Sequence, residues 1–417
     1  MIRKLIEFSA HNRWFVIIIV VAAVAYATYA VRSIPLDAIP DLSDTQVIIY
    51  SRWDRSPDII EDQVTYPIIS SLLGAPRIKD IRGLSDYGFS YVYVIFTDGT
   101  DLYWARSRVL EYLSTIQGSL PEGVTTEIGP DATGVGWVYQ YVLVDKSGTH
   151  GAADLRAYQD WTLKYALQSV PGVAEVATVG GFEKQYQVTV DPNRLSAYGI
   201  SITEIIGAVR RNNNEGGGRL IEWSGKEYMV RVKGYIRELD DLRNIVVGEK
   251  EGTPILLGHV ASVALGPQMR RGIADFNGLG EVTGGIVVIR HGENALNVIE
   301  RVKERIRELE PSLPRGVEIV PVYDRSELIR RAIDTLTGEL IVEMIIVSLM
   351  IIFFLRHFPS AMVPILTIPV AVLLAFIPMY LAGISSNIMS LAGIAISIGV
   401  LVDGAIVEVE NAYKKIE

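Results

Sequence analysis

The sequence predicts a membrane protein with four transmembrane helices and a large, internally repeated α+β region on one side of the bilayer. The chain is 49% hydrophobic with a mean hydropathy of +0.27, although 21% of its residues are charged. Apolar and polar residues must therefore be segregated along the chain. The polar part also contains two series of helix and strand patterns in a similar order, which indicates a duplicated unit.

Four apolar segments have lengths near the roughly 20 residues that a helix needs to cross a bilayer. They are residues 14–31, 340–355, 361–381 and 388–409. The second segment is short and begins beside Glu339 and Glu343, which we expect at the membrane interface. The first could also be a signal peptide, since Arg3, Lys4 and Arg13 precede its core. It is long for that role and no small-residue cleavage site follows, which favours a membrane anchor.

Positive charges predict the orientation, because Lys and Arg accumulate in short loops on the cytoplasmic side. The cations before the first segment, Arg356 after the second, and Lys414 and Lys415 after the fourth all fall on one side if every segment crosses. Residues 32–338 then lie outside the cytoplasm, and the turn at residues 383–387 joins them there.

Composition excludes several classes of site. The chain has no cysteine, so it forms neither disulfides nor thiolate metal sites. The net charge of -9 and pI near 5.3 offer no basic nucleic-acid surface. A G-x-x-x-x-G-K-[ST] phosphate loop is absent, and the histidines are scattered without zinc-type spacing. We therefore expect no bound cofactor and no nucleic-acid partner.

The external region repeats a β-α-β-β-α-β order. In the first copy, strand and helix patterns occupy residues 45–53, 59–74, 75–83, 90–99 and 102–117. The second copy occupies residues 137–145, 155–170, 171–181 and 184–191, and resumes at residues 283–290, 295–310 and 316–324. The hinges "SLPEGV" and "SLPRGV" that close the copies are almost identical. This pattern predicts duplicated ferredoxin-like (split β-α-β) subdomains.

An insert at residues 193–271 interrupts the second copy and carries "RRNNNEGGGRLIE". Three asparagines and three glycines disfavour a helix, so this stretch is either a flexible loop or a hairpin arm. A surface turn and an arm that docks on a neighbouring subunit both remain open. The candidate arm residues are Asn212, Asn213, Asn214, Gly216, Gly217 and Gly218.

The fourth apolar segment contains an acid, Asp403, at its centre. Asp403 lies roughly 16 Å from Lys414 along a helix, close to the middle of a hydrocarbon core about 30 Å thick. Glu410 lies about two turns further on the same face, whereas Glu408 points away. An acid at this depth is costly unless it faces protein, pairs with a cation or carries a proton. A proton relay through Asp403 and Glu410 is therefore predicted, against the alternative of a satisfied acid in a soluble core helix.

The segment "GIAISIGVLVDGAIVEVENAYKK" around Asp403 resembles the corresponding helix of the heavy-metal efflux branch of the resistance-nodulation-division (RND) transporters. The stretches "DAIPDLSDTQV", "GPDATGVGWVYQY" and "YDRSELI" extend the resemblance over nearly the whole chain. It implies the amino-terminal half of such a transporter. The implied parts are a cytoplasmic N-terminus with the first transmembrane helix (1–32), a first porter subdomain (33–134), a second porter subdomain in two pieces (135–192 and 272–337), a docking insert (193–271) and transmembrane helices two to four (338–417).

The resemblance also implies a function. Such a transporter is not an enzyme but a proton antiporter of the bacterial inner membrane, surrounded by membrane lipid. It forms a homotrimer and works with a periplasmic adaptor protein and an outer-membrane channel. Asp403 matches the family's proton-carrying aspartate, Glu410 matches a glutamate of the same helix, and the glycine-rich insert matches the arm that threads into the adjacent subunit.

The transported substrate implied by the resemblance is a heavy-metal ion of the Cu/Ag or the Zn/Co/Cd class. Exporters of divalent zinc or cobalt place a second acid where this chain has Ser397. Exporters of Cu(I) or Ag(I) place methionines along this helix, because soft thioethers suit these ions. Met389 matches one such position, but Leu401 and Glu408 occupy two others. The pattern slightly favours Cu(I) or Ag(I), with Met389 either a metal ligand or a packing residue.

Two alternatives belong to other classes. A multidrug exporter of the same family would carry two adjacent acids, whereas Gly404 follows Asp403 here. A truncated trimerisation or adaptor-binding module would not transport at all. The sequence downstream of Glu417 distinguishes them, because a complete pump needs further spans and a lysine able to pair with Asp403.

Overall fold

The structure is a computed structural model that describes residues 8–9, 11–232, 234–270, 272–355 and 358–416. Its internal contacts divide the chain into two compact units. The first unit comprises Met1–Lys146, Thr162–Val179 and Gly284–Glu417, and the second comprises Ser147–Trp161 and Gly180–Thr283.

The first long helix, α1 (Arg13–Ser33), is apolar on all sides and mostly exposed. It ends where Ile34 adopts an extended backbone before Pro35, as expected for a residue that precedes proline. Within the described ranges, α1 is the one helix that is long and apolar enough to cross a bilayer by length and composition. Shorter apolar stretches occur at Ile365–Leu381 and Ile388–Leu401.

The first sheet has the strand order β2-β3-β1-β4 and is antiparallel throughout. Its elements are β1 (Gln46–Arg52), α2 (Pro57–Ile60), a π-helical segment (Glu61–Thr65), α3 (Tyr66–Leu72), β2 (Ile78–Asp86), β3 (Phe89–Phe96), α4 (Leu102–Ile116) and β4 (Thr125–Ile128). Alternate residues of β1 and β3, such as Val47 and Val92, pack on Ile68 and Val109 of the helices. The helices of this β-α-β-β-α-β unit thus cover one face of the sheet.

The next elements are β5 (Trp137–Asp145), α5 (Ala152–Tyr158), a π-helical segment (Gln159–Leu163), α6 (Lys164–Gln168) and β6 (Val173–Gly180). β5 has the bounds that its β-branched and aromatic residues predict. It is largely buried, as expected for a strand inside a sheet.

The second compact unit contains the insert. Its remaining elements are β7 (Lys184–Val190), α7 (Pro192–Tyr198), α8 (Ile202–Asn212), β8 (Gly216–Trp223), β9 (Lys226–Val232), α9 (Leu239–Arg243), β10 (Val246–Lys250), β11 (Thr253–Leu256), α10 (Leu257–Val260) and β12 (Ala261–Pro267). The strand expected at residues 184–191 forms β7, but it pairs with β12 and not with the second sheet. Leu195, Ile205, Leu257 and Val263 belong to a separate apolar core in this region.

The second sheet has the order β14-β5-β13-β6, which repeats the arrangement of the first. It is completed by β13 (Thr283–Ile289), α11 (Ala295–Leu309) and β14 (Val317–Asp324). The two similar hinges precede β4 and β14, and their glycines, Gly123 and Gly316, have φ angles of 88° and 81°. Such left-handed backbone favours glycine, which explains why both hinges end in the same Gly-Val pair.

Three long helices complete the chain: α12 (Arg325–Leu355), α13 (Phe358–Leu381) and α14 (Ile388–Ile416). They share an apolar core with Ile34, which follows the end of α1. This core includes Val347, Ile368, Leu391 and Ile398. α12 follows β14 without a loop, because the Asp324 carboxylate accepts a hydrogen bond from the Ser326 N–H at 2.9 Å and caps the helix. α12 therefore begins well before the apolar segment at 340–355 that hydropathy predicts.

Candidate functional site

The helix that carries the predicted proton relay, α14, has a well-defined start. The Asn387 side-chain oxygen accepts hydrogen bonds from the backbone N–H groups of Met389 and Ser390, both at 3.0 Å. The Ser390 hydroxyl in turn accepts from the Asn387 N–H at 2.8 Å. The preceding turn is bonded to the linker after α1, since Ser386 N–H donates to the Pro35 carbonyl at 2.9 Å. The first turn of α14 is thereby fixed to the linker that follows α1.

Asp403 lies in the middle of α14 with its side chain exposed. Within the described part of the chain, no hydrogen bond or ion pair involving Asp403 is present. A Cβ added at Gly399 or at Gly404 would meet no atom within 4 Å, so the surface beside Asp403 is open. The carboxylate is accessible to a further helix or to water, which is the environment that a proton carrier needs.

Among the described side chains, Met389 and Ser397 are not brought to Asp403. Met389 is 68% exposed in the first turn of α14, roughly 21 Å from Asp403 along the helix axis. Glu410 belongs to α14, but its side chain lies outside the described residues. The Ser397 hydroxyl donates to the Ile394 carbonyl at 2.7 Å, so it is directed to the backbone of its own helix.

The glycine-rich insert forms a β-hairpin, which answers the choice between a loop and a hairpin. Asn212 ends α8, and the side-chain oxygen of Asn213 accepts from the Ile236 N–H at 3.2 Å. Asn214 lies against Gly234, where a Cβ would come within 2.1 Å of the Asn214 carbonyl oxygen. Gly216 and Gly217 pair with β9, and Gly218 lies where the register shifts. All of β8 is exposed, so no apolar residue that the structure describes covers this strand.

A polar centre that sequence reasoning missed surrounds Arg325, the first residue of α12. Its guanidinium is 6% exposed and lies 3.3 Å from both oxygens of Asp37. It also donates to the carbonyls of Val135 and Trp137, at 2.5 and 2.8 Å. Burial raises the pKa of Asp37, and the Arg325 charge offsets only part of this effect.

Beside this centre lies a cavity of about 440 Å³ that is lined by Asp37, Asp41, Thr133 and His291. The Thr133 hydroxyl donates to Asp41 at 2.7 Å, and the His291 Nδ1 atom lies 3.7 Å from Asp41. Burial opposes ionisation of Asp41, but hydrogen bonds from Thr133 and Ser43 and the nearby His291 outweigh it, so its pKa is lowered. Two neighbouring acids thus have pKa values shifted in opposite directions, Asp37 upward and Asp41 downward.

The sequence carries a signal for this centre in three separate stretches. The stretches "DAIPDLSDTQV", "GPDATGVGWVYQY" and "YDRSELI" carry Asp37 and Asp41, Thr133, and Arg325, and the structure brings them together. His291 was interpreted as one of several scattered histidines. Within the described ranges, no group of three or more His, Cys, Asp or Glu side chains is arranged to hold a metal ion.

Two four-stranded sheets of the same order, followed by long apolar helices with an acid in the last of them, agree with the architecture expected for the RND family. The chain belongs to the AcrB/AcrD/AcrF family, whose model matches residues 5–417. A crystal structure of a heavy metal efflux pump matches it with a TM-score of 0.88 at 33% sequence identity. This match covers 99% of the chain and 41% of that pump.

Two curated relatives extend the comparison. The chain is 53% identical over 419 residues to the cation efflux system protein CusA of Escherichia coli K12, covering 100% of this chain and 40% of CusA. It is 37% identical over 424 residues to the cobalt-zinc-cadmium resistance protein CzcA of Cupriavidus metallidurans, again covering 100% of this chain and 40% of the relative. The chain therefore spans about two fifths of the length of these relatives.

Replacing Arg325 with Met should destabilise the folded chain by about 3–5 kcal/mol, the range for removing one partner of a buried ion pair. The reason is that Asp37 and two carbonyls would lose their donor. Thermal unfolding of the full-length protein in detergent measures the loss. Lys79→Met is the control, because its pair with Asp44 is exposed and screened by solvent, so its loss should barely change the stability.

The loss in Arg325→Met should also depend on pH. Without the guanidinium, the already raised pKa of Asp37 rises further, so its charged form destabilises the folded state at neutral pH. A carboxyl whose pKa is higher when folded restores stability as the pH falls through that pKa. The difference in unfolding free energy between Arg325→Met and wild type should therefore narrow on acidification. It should also be smaller for the double variant Asp37→Asn/Arg325→Met. A gap that stayed constant with pH would argue against Asp37 as the partner.

Proposed function

We propose that this chain is the amino-terminal part of a proton-driven heavy-metal efflux pump in a bacterial inner membrane. The observation that carries the proposal is the position of Asp403 in the middle of an apolar helix of a chain whose fold matches a heavy metal efflux pump over 99% of its length. An acid inside a membrane helix is costly and by default functional. The protein is then a secondary transporter that couples proton entry to metal export.

In this proposal α1, α12, α13 and α14 all cross the membrane, and the two sheets are ferredoxin-like porter subdomains outside the cytoplasm. The equivalent strand orders of the two sheets support the ferredoxin-like subdomains. The apolar core that the long helices share with the end of α1 supports the membrane crossing. α12 would enter the membrane only in its second half, since Arg325 to Glu339 form its polar, external part.

Asp403 would carry the proton that drives export. Its side chain is open to an approaching partner, and the neighbouring glycines leave room for a close helix. A cation that moved toward Asp403 would favour proton release, and its withdrawal would favour proton uptake. Glu410, about two turns further on the same face, is the second relay residue of the proposal.

Asp403→Asn in the full-length pump should abolish metal-driven proton flux and metal resistance, because Asn keeps the size and hydrogen bonding of the side chain but cannot titrate. Expression and trimer assembly should stay normal. Proton flux in proteoliposomes measures the effect, with Glu408→Gln as the matched control on another face of α14. Undiminished exchange of metal for protons in Asp403→Asn would remove Asp403 from the mechanism.

The exported metal is proposed to be Cu(I) or Ag(I). Ser397 replaces the second acid of the divalent pattern, and its hydroxyl is directed to the helix backbone. The sequence of this chain is 53% identical to CusA but only 37% identical to the cobalt-zinc-cadmium resistance protein CzcA. Met389, exposed at the external end of α14, is the proposed thioether ligand.

A host that lacks its own pumps should therefore gain resistance to copper and silver from the full-length protein. Met389→Leu keeps the apolar volume but removes the sulfur, so it should weaken that resistance. Met362→Leu is the control, because Met362 is also exposed but lies in α13. Protection against zinc, cobalt and cadmium but not against copper or silver would contradict the proposed metal class.

The hairpin of β8 and β9 is proposed to dock on the neighbouring subunit of a homotrimer, which would work with a periplasmic adaptor and an outer-membrane channel. Large apolar side chains are exposed along the hairpin, including Leu220, Ile221, Trp223 and Met229. Such a row is unfavourable in water and indicates a protein contact. The glycines Gly216, Gly217 and Gly218 give the hairpin reach and carry no side chain for a metal.

Trp223→Ser should lower the trimer fraction in detergent, because Trp223 is 75% exposed at the end of β8 and would lose its burial in the neighbouring subunit. Trp161→Ser is the matched control, since Trp161 is 73% exposed but lies outside the hairpin. Size-exclusion chromatography with light scattering measures the fraction. An intact trimer with altered metal selectivity in Trp223→Ser would instead indicate that the hairpin contacts the transported metal and not the neighbouring subunit.

A further inference from the structure

Three tyrosines from two helices meet near the end of α1. Tyr26 and Tyr29 lie about one turn apart on α1, with their ring centroids 6.2 Å apart. Tyr380, near the end of α13, contacts both rings edge-on, with centroid distances of 6.5 Å to Tyr26 and 5.9 Å to Tyr29. Aromatic rings attract each other in this arrangement. The three side chains therefore form one group, which we call the tyrosine cluster.

The helices fix the tyrosine cluster in place without covering it. Ala27 and Ala30 are completely buried, although most of α1 is exposed, and α1 packs along α13. Small side chains of this kind let two helix backbones approach closely in a membrane. Tyr26 and Tyr29 each precede one of these alanines, and they stay 42% and 56% exposed. They therefore lie at the rim of the helix contact and present part of each ring outward.

An arginine lies one turn beyond the tyrosine cluster. Arg32 is exposed in the last turn of α1, and its side chain makes no hydrogen bond or ion pair with the residues that the structure describes. Tyr29 lies three residues earlier, so the two share nearly the same face and differ by about 4.5 Å along the axis. A guanidinium presents a planar fork of N–H donors that fits a phosphate group.

No acid of the neighbouring segments neutralises Arg32. The next acid along the chain, Asp37, is paired with Arg325. Neither α13 over Phe358–Leu381 nor the turn at residues 383–387 contains an acidic residue. The surface around the tyrosine cluster is therefore apolar along the helices and positive at its outer end, which makes it complementary to an anion that carries apolar chains.

The lengths of α1 and α13 place this surface at one level of a bilayer. Arg13 and Arg32, near the two ends of α1, are about 28 Å apart along the axis. This is close to the thickness of a hydrocarbon core, about 30 Å. Tyr380 lies about 33 Å from the start of α13, and thus near the same surface as Arg32. The cluster then lies where lipid headgroups meet acyl chains, and Arg32 lies at the level of the headgroups.

We propose that the tyrosine cluster and Arg32 bind one phospholipid of the outer leaflet. This inference rests on the membrane crossing of α1 and α13 in the proposed function. The Arg32 guanidinium donates to the lipid phosphate, and hydroxyls of the tyrosine cluster donate to the glycerol ester carbonyls. An acyl chain lies along the exposed apolar side of the two helices. Inorganic phosphate would occupy Arg32 alone and leave the rings uncovered, so a lipid fits the whole surface better.

Native mass spectrometry of the full-length pump in detergent measures the binding of dioleoylphosphatidylglycerol. Arg32→Gln should weaken the binding of one lipid per subunit by about 10-fold or more, as for the loss of a hydrogen bond to a charged group. Tyr26→Phe keeps the ring but removes a hydroxyl, so it should weaken binding by roughly 3-fold. Arg13→Gln is the matched control and should bind as wild type does, because Arg13 is exposed at the other end of α1.

A second lipid, dioleoylglycerol, has the same chains but no phosphate, and it should bind wild type and Arg32→Gln equally. Unchanged affinity for dioleoylphosphatidylglycerol in Arg32→Gln would overturn the inference. Equal weakening in Arg13→Gln would also overturn it, since this would indicate a general attraction of lipid to surface charge.

The outcomes separate this inference from the proposed function. A pump that exchanged metal for protons but bound the lipid equally in wild type and Arg32→Gln would lack the lipid site and keep its function. A pump that exchanged no metal for protons, but whose lipid binding depended on Arg32, would have the lipid site and refute the proton-driven function.

Discussion

One buried guanidinium, that of Arg325, connects the helical bundle to the second sheet. It pairs with Asp37 in the linker after α1 and donates to two carbonyls at the entrance to β5. A charge that is 6% exposed is tolerable only because every side of it is paired or hydrogen-bonded. Since Arg325 is also the first residue of α12, the start of α12, the linker that follows the end of α1 and the start of a central strand are held at one point.

The same region makes α12 continuous with the sheet. Asp324 caps α12 and also pairs with Lys303 of α11, which itself donates to the Ser326 hydroxyl at 2.8 Å. The hydrogen bonds and the ion pair lower the pKa of Asp324 against the opposing effect of burial, so its carboxylate stays charged. A displacement of α12 along its axis must therefore move β14 and α11. In the proposed mechanism, this coupling would connect a protonation event in the bundle to the proposed porter region.

Sequence patterns predicted local structure better than long-range contacts. The β-branched and aromatic residues of 137–145 predicted the bounds of β5, but hydropathy detected α12 only from residue 340, because the polar turns from Arg325 to Glu339 do not differ from those of a soluble helix. The strand β7 was visible, whereas its partner β12 was not, since pairing depends on distant residues. For the same reason the contacts of Arg325 with Asp37, and of Thr133 and His291 with Asp41, could not be predicted from spacing.

The acid in α14 is explained by the two unlike faces of that helix. Leu391, Ile394 and Ile398 are buried and fix α14 against the other long helices. The exposed face also carries Ile396 and Val407, but the residues nearest to Asp403 include Gly399 and Gly404, where a Cβ would meet nothing within 4 Å. Large side chains there would close the space beside Asp403, whereas small ones leave it open to water or a partner. Because packing energy comes from one face alone, the other can hold a costly acid without loss of the fold.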